Sequence, residues 1–356
     1  MNIPSPSGSA PFTLSILDNA LTSVGTSAQE GLQGVIDLAA LADRSGYHRF
    51  WISEHHAMPA ASTSSPQLML SRLIPETKRI RLGAGGVMLP NHSSLMVAEQ
   101  FGMLEALAPG RIDLGLGRAP GTDGATADAL RRHQSANENF PQQVLELLGF
   151  MQGNFPDGHR YENVHAVPGP WQAAINRVPI TVSLPDFWIL GSSNFSASLA
   201  GQLGRPYAFA LQFGDSDVDG ALDLYRKSFR PSGIIDEPYA LVSVLASADE
   251  DAKEARRQTL SNAMGMLQMF QRKPFAYFSP EEVEQYPANL HERQVIESYV
   301  NSAYSGTPKQ VADRLEQLHD RTGVDEIMLV VTGFTRSALN TTAQLMAKHY
   351  GMSANN

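Results

Sequence analysis

Short apolar runs alternate with amphipathic segments along almost the whole chain, and this alternation limits the fold more than any other feature. Eight runs have the length and apolar content of buried strands, and helical apolar spacing follows them. The predicted strands are 12–17, 49–53, 80–84, 112–116, 187–190, 207–211, 239–246 and 326–331. Parallel strands joined by helices predict an α/β protein, a (β/α)8 TIM barrel. A doubly wound open sheet is the alternative.

The 356 residues are enough for one barrel with insertions or for two domains. We predict a flexible N-terminus at 1–11, a single domain at 12–350 and a C-terminal tail at 351–356. Two irregular insertions, about 153–177 and 271–300, are expected at the C-terminal mouth of the barrel. The predicted helices are 29–44, 65–77, 95–107, 136–152, 194–203, 218–229, 249–270, 308–322 and 336–349.

Composition excludes several classes of site and partner. The chain has no cysteine, which excludes disulfides, thiolate nucleophiles and zinc–thiolate centres. Its 27 basic and 36 acidic residues give a net charge of −9, which argues against a nucleic-acid partner. We find no secretory leader and no apolar stretch of membrane-spanning length, so we expect a cytoplasmic protein without a membrane partner.

Two predicted strand ends carry groups that suit an anion. The fourth strand runs into Gly117 and Arg118, whose guanidinium can make two charge-assisted hydrogen bonds to a phosphate or carboxylate. The fifth strand ends in Gly191, Ser192 and Ser193, and a helix containing Ser196 follows. The start of a helix offers unpaired N–H groups and partial positive charge. The alternatives are an ordinary loop at each turn, and serines that only cap the helix.

The second predicted strand ends in Glu54, His55 and His56, which suit acid–base chemistry, structural hydrogen bonds or metal binding. Neighbouring residues of an extended chain face opposite sides, so the two histidines do not easily share one ion, and we predict no metal site. After the third predicted strand, Gly85 and Gly86 allow either a flat ring against the backbone or a tight turn. The spacing of the glycines disfavours a Rossmann dinucleotide site.

Several intact motifs together make the family of the chain recognisable. They are Glu54–His56, Gly85–His92, Gly110–Gly121, Leu190–Ser193 and Gly306–Pro308. Over about residues 12–350 the chain resembles the bacterial luciferase-like flavin-dependent monooxygenases, and within them the subgroup that carries the second and third of these motifs. The resemblance implies a TIM barrel with FMN bound at its C-terminal mouth.

The resemblance also implies roles for individual residues. Arg118 would hold the FMN phosphate, with Gly191, Ser192, Ser193 and Ser196 completing that site. Gly85 and Gly86 match the position of a non-prolyl cis peptide bond under the isoalloxazine ring. His55 would be the catalytic residue that exchanges a proton near flavin C4a, and we assign His56 and His92 to the substrate pocket.

The activity implied by the resemblance is that of an FMN-dependent monooxygenase. Reduced FMN would react with O2 to give a C4a-hydroperoxyflavin, which transfers one oxygen atom to a small, largely apolar organic substrate while the other leaves as water. A separate NAD(P)H:flavin reductase would supply the reduced FMN, and a homodimer is expected. The alternatives are an F420-dependent hydride-transfer enzyme of the same fold, a non-catalytic flavin-binding protein and a metal-dependent barrel hydrolase.

Overall fold

The computed structural model describes residues 4–131, 137–179, 184–214 and 217–353. These residues form nine parallel strands. The strands are β1 Thr13–Asp18, β2 Arg49–Ile52, β3 Arg81–Met88, β4 Ile112–Gly117, β5 Asp186–Gly191, β6 Tyr207–Ala210, β7 Ala240–Ala248, β8 Tyr304–Gly306 and β9 Glu326–Val331. All eight predicted strands are present. The three-residue β8 was not predicted, because a run that short carries no periodic signal.

Eight of these strands close into a ring. β1 to β7 pair in chain order, β7 pairs with β9, and β9 pairs with β1. The remaining strand, β8, pairs with the last residues of β7. The predicted TIM barrel is therefore confirmed, and the open-sheet alternative is wrong. Because all strands are parallel, their carboxyl ends meet at one mouth and their amino ends at one floor.

Helices surround the ring, and several begin at a side-chain cap that the sequence provides. The helices are α1 Ala28–Arg44, α2 Pro66–Leu73, α3 Ser94–Leu107, α4 Gly124–Ala129, α5 Phe140–Gln152, α6 Pro170–Asn176, α7 Asn194–Gln202, α8 Val218–Ser228, α9 Ala252–Gln258, α10 Leu260–Phe270, α11 Pro280–Glu284, α12 Leu290–Ser302, α13 Pro308–Thr322 and α14 Arg336–His349. Capping boxes of Ser27 with Glu30 and of Thr307 with Gln310 start α1 and α13. Among the described residues, no helix has both the length and the apolar character needed to cross a membrane.

Alternation along the strands divides the buried residues into two layers. Ile16 and Phe50 belong to the large layer that includes residues of the surrounding helices. Their neighbours Leu17 and Trp51 lie instead in a second cluster with Trp188. Side chains of successive strand residues face opposite sides of the sheet, so one strand supplies both layers.

Several predicted elements differ from those in the structure. The expected helix 249–270 is two helices, because the chain breaks at Thr259, whose hydroxyl donates to the Arg256 carbonyl at 2.7 Å. The insertions are not wholly irregular, since they contain α6 and α12; a capping box of Asn289 with Glu292 begins α12. The predicted helix 65–77 ends in a short 3-10 turn at Ile74–Glu76.

Parts of three predictions lie outside the described residues. These parts are residues 1–3 of the predicted N-terminus, Ala136 at the start of the predicted helix 136–152, and 354–356 of the predicted tail. The described part of the N-terminus contacts the end of α14, where the Ser9 N–H donates to the Tyr350 carbonyl at 2.8 Å. The domain limits stay a prediction.

A buried network of charges fills the floor of the barrel. The side chain of Arg49 is fully buried and contacts Asp113 and Glu326, each at 2.7 Å. Arg81 contacts Asp113 and Asp186, each at 2.7 Å. Burial works to raise the pKa of Asp113, but the two guanidinium groups hold it below its usual value. Every carboxylate of this network therefore lies against an arginine.

Candidate active site at the barrel mouth

Arg118 follows β4 directly and meets the first turn of α7. Its guanidinium carbon lies 4.2 Å from the centroid of the Phe195 ring, a cation–π contact. Because β4 and β5 are neighbours in the ring, the two turns that the sequence marked as anion sites are adjacent at the mouth. The stacking also holds the guanidinium at the amino end of α7.

The amino end of α7 is not capped by a side chain. Ser193 is the N-cap residue and has extended backbone angles, φ −140° and ψ 160°, but its hydroxyl makes no capping hydrogen bond. Ser192 and Ser193 are both exposed. The alternative that these serines serve only to cap the helix is therefore not what the structure has. The first-turn N–H groups carry partial positive charge beside Arg118.

Ser196 and Gly191 shape this turn from within. Ser196 is buried, and its hydroxyl donates to the Ser193 carbonyl at 2.9 Å. The Tyr207 hydroxyl lies 3.3 Å from the Ser196 hydroxyl oxygen. A Cβ atom at Gly191 would collide with the Ser196 hydroxyl, so glycine is needed there. These contacts give both residues a structural part in the turn; their contact with a cofactor stays a prediction.

Gly85 and Gly86 lie within β3 and not after it, so the predicted strand end at residue 84 was wrong. The strand stays paired with β4 through Gly85 opposite Gly115, then shifts register. A Cβ atom at Gly86 would lie 2.8 Å from the Gly115 carbonyl oxygen, so this close approach requires glycine. The peptide bond between the two glycines is cis, as the family resemblance implies.

Glu54 connects the two histidines that the sequence assigned to the substrate pocket. Its side chain is fully buried just after β2. The His56 Nε2 atom lies 2.8 Å from Glu54 Oε1, and the His92 Nε2 atom lies 2.9 Å from each carboxylate oxygen. The Met88 N–H donates to Oε2 at 3.1 Å. Residues from the ends of β2 and β3 are thereby joined through one carboxylate.

The hydrogen bonds keep Glu54 ionised despite its burial. Burial alone would raise the pKa of Glu54, but bonds from His92, His56 and the Met88 N–H outweigh it and lower the pKa below its usual value. Both histidines therefore face a carboxylate and not a neutral acid.

His55 makes a different set of contacts from its neighbour His56. Its Nδ1 atom lies 3.1 Å from the Ser53 hydroxyl, and that hydroxyl donates to Asn19 Oδ1 at 2.9 Å. A serine hydroxyl has one hydrogen, so Ser53 accepts the Nδ1–H of His55 and leaves the lone pair on Nε2. Nε2 has no hydrogen-bond partner among the residues that the structure describes.

The environment of His55 favours a neutral ring. Burial lowers the pKa of His55 to about 4, although the Glu54 carboxylate works in the opposite direction. The neutral ring with a lone pair on Nε2 is the form that can accept a proton at neutral pH.

Sequence reasoning missed three contributors to the mouth. Glu54 was noted only as part of a triplet, Phe195 was not assigned, and Asn19 carried no signal. The signal available for Phe195 was its position between Ser193 and Ser196 of the predicted anion site. In the described part of the chain, no group of three or more histidine, aspartate or glutamate side chains is arranged to hold a metal ion.

Known proteins show similar sequences across almost the same length. The family model of the luciferase-like monooxygenases matches residues 13–326. Protein YvbT of Bacillus subtilis is 42% identical over 316 residues, which is 89% of this chain and 90% of that protein. A luciferase-like monooxygenase of Escherichia coli is 38% identical, covering 89% and 91%. The N-acetyl-S-alkylcysteine monooxygenase of Bacillus subtilis is 34% identical, also covering 89% and 91%.

Solved structures share the fold. Apo-MsnO8 is 30% identical and superposes with a TM-score of 0.83 over 96% of this chain and 98% of its own. The oxygenating constituent of a Pseudomonas putida diketocamphane monooxygenase, in complex with FMN, has a TM-score of 0.69 at 16% identity, covering 95% and 97%. An F420-dependent secondary alcohol dehydrogenase has a TM-score of 0.66 at 13% identity, covering 94% and 98%.

These likenesses span the barrel and both of the turns that the sequence marked as anion sites. At identities below 20%, the last two structures indicate only a common fold, which serves more than one flavin-type cofactor. The match of the family model over most of the chain, together with relatives of 34% to 42% identity, establishes the family. The chain belongs to the luciferase-like monooxygenase family.

Proposed function

We propose that this protein is an FMN-dependent monooxygenase that receives reduced FMN from a separate reductase. The observation that carries the proposal is the position of Arg118 over Phe195 at the uncapped start of α7. A guanidinium and helix N–H groups together suit a phosphate monoester. Reduced FMN, when bound, supplies the electrons with which one atom of O2 enters a substrate and the other becomes water.

The residues present at the mouth fit such a cofactor. Arg118, Ser192, Ser193 and the first turn of α7 would hold its phosphate. Gly86 lets β3 lie close to the Gly115 carbonyl of β4, where a side chain would collide. The carboxylate at the end of β2, Glu54, is bonded to His56 and His92.

The residue that moves a proton in this proposal is His55. Its Nε2 atom accepts the proton, since Nδ1 is held by Ser53. The Glu54 carboxylate stabilises the resulting charge on the ring, since it already favours the charged form of His55. His56 and His92 are fixed by Glu54 and would line the pocket for a small, largely apolar organic substrate.

The reductase partner and a homodimer belong to the same proposal. A similar protein of Acinetobacter baylyi, 24% identical over 82% of this chain and 81% of its own length, is the oxygenase component of a flavin-dependent trigonelline monooxygenase. Met96, Met103 and Leu107 of α3 are 57%, 56% and 63% exposed and recur on one helical face. An exposed apolar stripe of this kind supports association with a second copy.

F420 is the second candidate cofactor, because an F420-dependent enzyme shares the fold. The first experiment titrates the protein with FMN and with F420, each reduced and under anaerobic conditions. We expect tighter binding of FMN, and a loss of affinity of about 30-fold for Arg118→Ala, since a bond to a charged group contributes about 2 kcal/mol. The exposed Arg177 provides the matched control, and Arg177→Ala should bind FMN as the wild type does.

The second experiment mixes the protein, loaded with reduced FMN, with isotope-labelled O2. Flavin absorbance reports reoxidation, and mass spectrometry of the product reports incorporation of labelled oxygen. We expect bound flavin to reoxidise much more slowly than free flavin, and one labelled atom to enter an accepted substrate. Hydride transfer to F420 without O2 consumption would refute FMN as the cofactor and favour F420. Equal FMN affinity in Arg118→Ala would refute the phosphate site.

A further inference from the structure

A second cavity lies at the floor of the barrel, at the opposite end from the proposed FMN site. Its volume is about 420 Å³, within the range of small-molecule sites. Asp186 at the start of β5 lines it, whereas Gly191 at the end of β5 belongs to the mouth. The two residues are five positions apart along the strand, about 16 Å at the usual rise. The cavity is therefore distinct from the mouth.

Arg205 lines this cavity and has no acidic partner among the described residues. The residue is only 9% exposed, and its Nε atom is buried without a hydrogen-bond partner. The contact of its guanidinium is with the Phe187 ring, whose centroid lies 5.7 Å away. Burial lowers the pKa of Arg205, and no neighbouring carboxylate opposes that effect.

The other arginines near the floor have acidic partners, unlike Arg205. Arg49 lies against Asp113 and Glu326, and Arg81 lies against Asp113 and Asp186. A buried charge without a partner costs several kcal/mol, so a compensating anion is expected wherever one is retained. The floor network has no carboxylate within contact of Arg205, so that anion must come from outside the described chain.

The other residues that line the cavity indicate the charge and polarity of this anion. Leu148 and Met151 of α5 and Phe187 of β5 provide apolar walls. Asp186 lines the same cavity and would repel a second negative charge. One uncompensated cation, apolar walls and a nearby carboxylate together match a monoanion with an apolar body.

We propose that the floor cavity binds a small organic carboxylate, with its carboxylate on Arg205 and its apolar body against Leu148, Met151 and Phe187. The site would be separate from the monooxygenase chemistry at the mouth, and it does not depend on the proposed function. The guanidinium of Arg205 can bind the ligand carboxylate through two parallel hydrogen bonds. Burial of the apolar body of the ligand contributes the rest of the affinity.

Isothermal titration with sodium benzoate tests the proposal, and benzyl alcohol and inorganic phosphate serve as comparison ligands. We expect saturable binding of benzoate and much weaker binding of both others. Arg205→Gln should weaken benzoate at least about tenfold, since it removes a charged hydrogen-bond donor. Arg205→Lys should recover part of the affinity. The exposed Arg230 gives a control of equal charge, and Arg230→Gln should leave benzoate binding unchanged.

The stability of the free variants separates a ligand site from a structural arginine. Without ligand, Arg205→Gln should unfold at the same temperature as the wild type or at a higher one, because an unpaired buried charge has been removed. A clearly lower temperature would mean that Arg205 is compensated within the protein, which overturns the proposal. So would the absence of saturable benzoate binding, equal benzoate affinity in Arg205→Gln, or phosphate binding as tight as benzoate.

Saturation with FMN distinguishes the two ends of the barrel. Benzoate affinity should be the same with and without FMN. If FMN displaces benzoate, the benzoate lies at the mouth and the floor site is refuted. If FMN itself does not bind, the proposed function is refuted. The benzoate affinities of the Arg205 variants still test the floor site in that case.

Discussion

At the floor of the barrel Arg49 and Arg81 each lie against two carboxylates, whereas at the mouth the carboxylate of Glu54 lies against two imidazoles. A guanidinium keeps its proton at any physiological pH, but an imidazole can gain or lose one. The floor therefore has fixed charges that compensate one another, and the mouth has groups that can exchange protons. The floor and the mouth thus differ in the group that lies beside each carboxylate, which is an arginine at the floor and a histidine at the mouth.

The largest expected effect comes from breaking the floor network. Asp113→Asn keeps the size of the side chain but leaves Arg49 and Arg81 short of a shared counter-charge. We expect a loss of about 3–5 kcal/mol in the free energy of unfolding, measured by urea denaturation. FMN affinity of the folded fraction should not change. A loss below 1 kcal/mol would mean that the remaining carboxylates compensate both arginines.

The matching change at the mouth should affect turnover and not stability. His55→Gln removes the proposed proton acceptor while keeping a polar side chain of similar length. We expect FMN binding to be retained and product per reduced FMN to fall about 100-fold for a substrate that the wild type accepts. Urea denaturation of the same variant provides the control. Wild-type turnover would show that another group moves the proton.

A smaller effect is expected when the charge of Glu54 is removed. Glu54→Gln retains a carbonyl for one histidine but loses the charge that both His56 and His92 face. We expect turnover to fall about tenfold, equal to about 1.4 kcal/mol. The pH profile of turnover should shift as well, because a neutral neighbour no longer favours a charged His55. An unchanged profile would assign Glu54 a purely structural part.

A last test compares the two ends directly through pH. Burial lowers the pKa of His48, just before β2, to about 4, as it does for His55 just after β2. Between pH 6.5 and 4 the unfolded chain binds protons that the folded chain does not, so stability falls as pH falls. Each histidine contributes at most about 1.4 kcal/mol per pH unit. His48→Gln and His55→Gln should each flatten the measured slope; equal slopes in all three proteins would contradict both shifts.

The sequence predicted the barrel because eight buried strands carry continuous apolar runs. It also placed His55, Arg118 and the serine turn at strand ends, which parallel pairing then collects at one mouth. It did not predict that β3 continues through Gly85 and Gly86, because glycine normally indicates the end of a strand. Only pairing with β4 and the close approach of Gly115 explain glycine there.

Contacts between distant residues were beyond sequence reasoning. Glu54 meets His92 across 38 positions, and Arg118 meets Phe195 across a strand and an insertion. These contacts depend on the register of neighbouring strands, which periodicity does not specify. Sequence reasoning could not show either that Arg205 has no acidic partner among the described residues, because an arginine in a sequence carries no record of its partners.

The stacking of Arg118 on Phe195 has a consequence for the entropic cost of binding. An arginine side chain that is already ordered loses its conformational freedom once, during folding, and not each time a ligand arrives. In the proposed function, the phosphate of FMN would meet a guanidinium that Phe195 already holds in place. Phe195 would then lower the entropic cost of binding through Arg118.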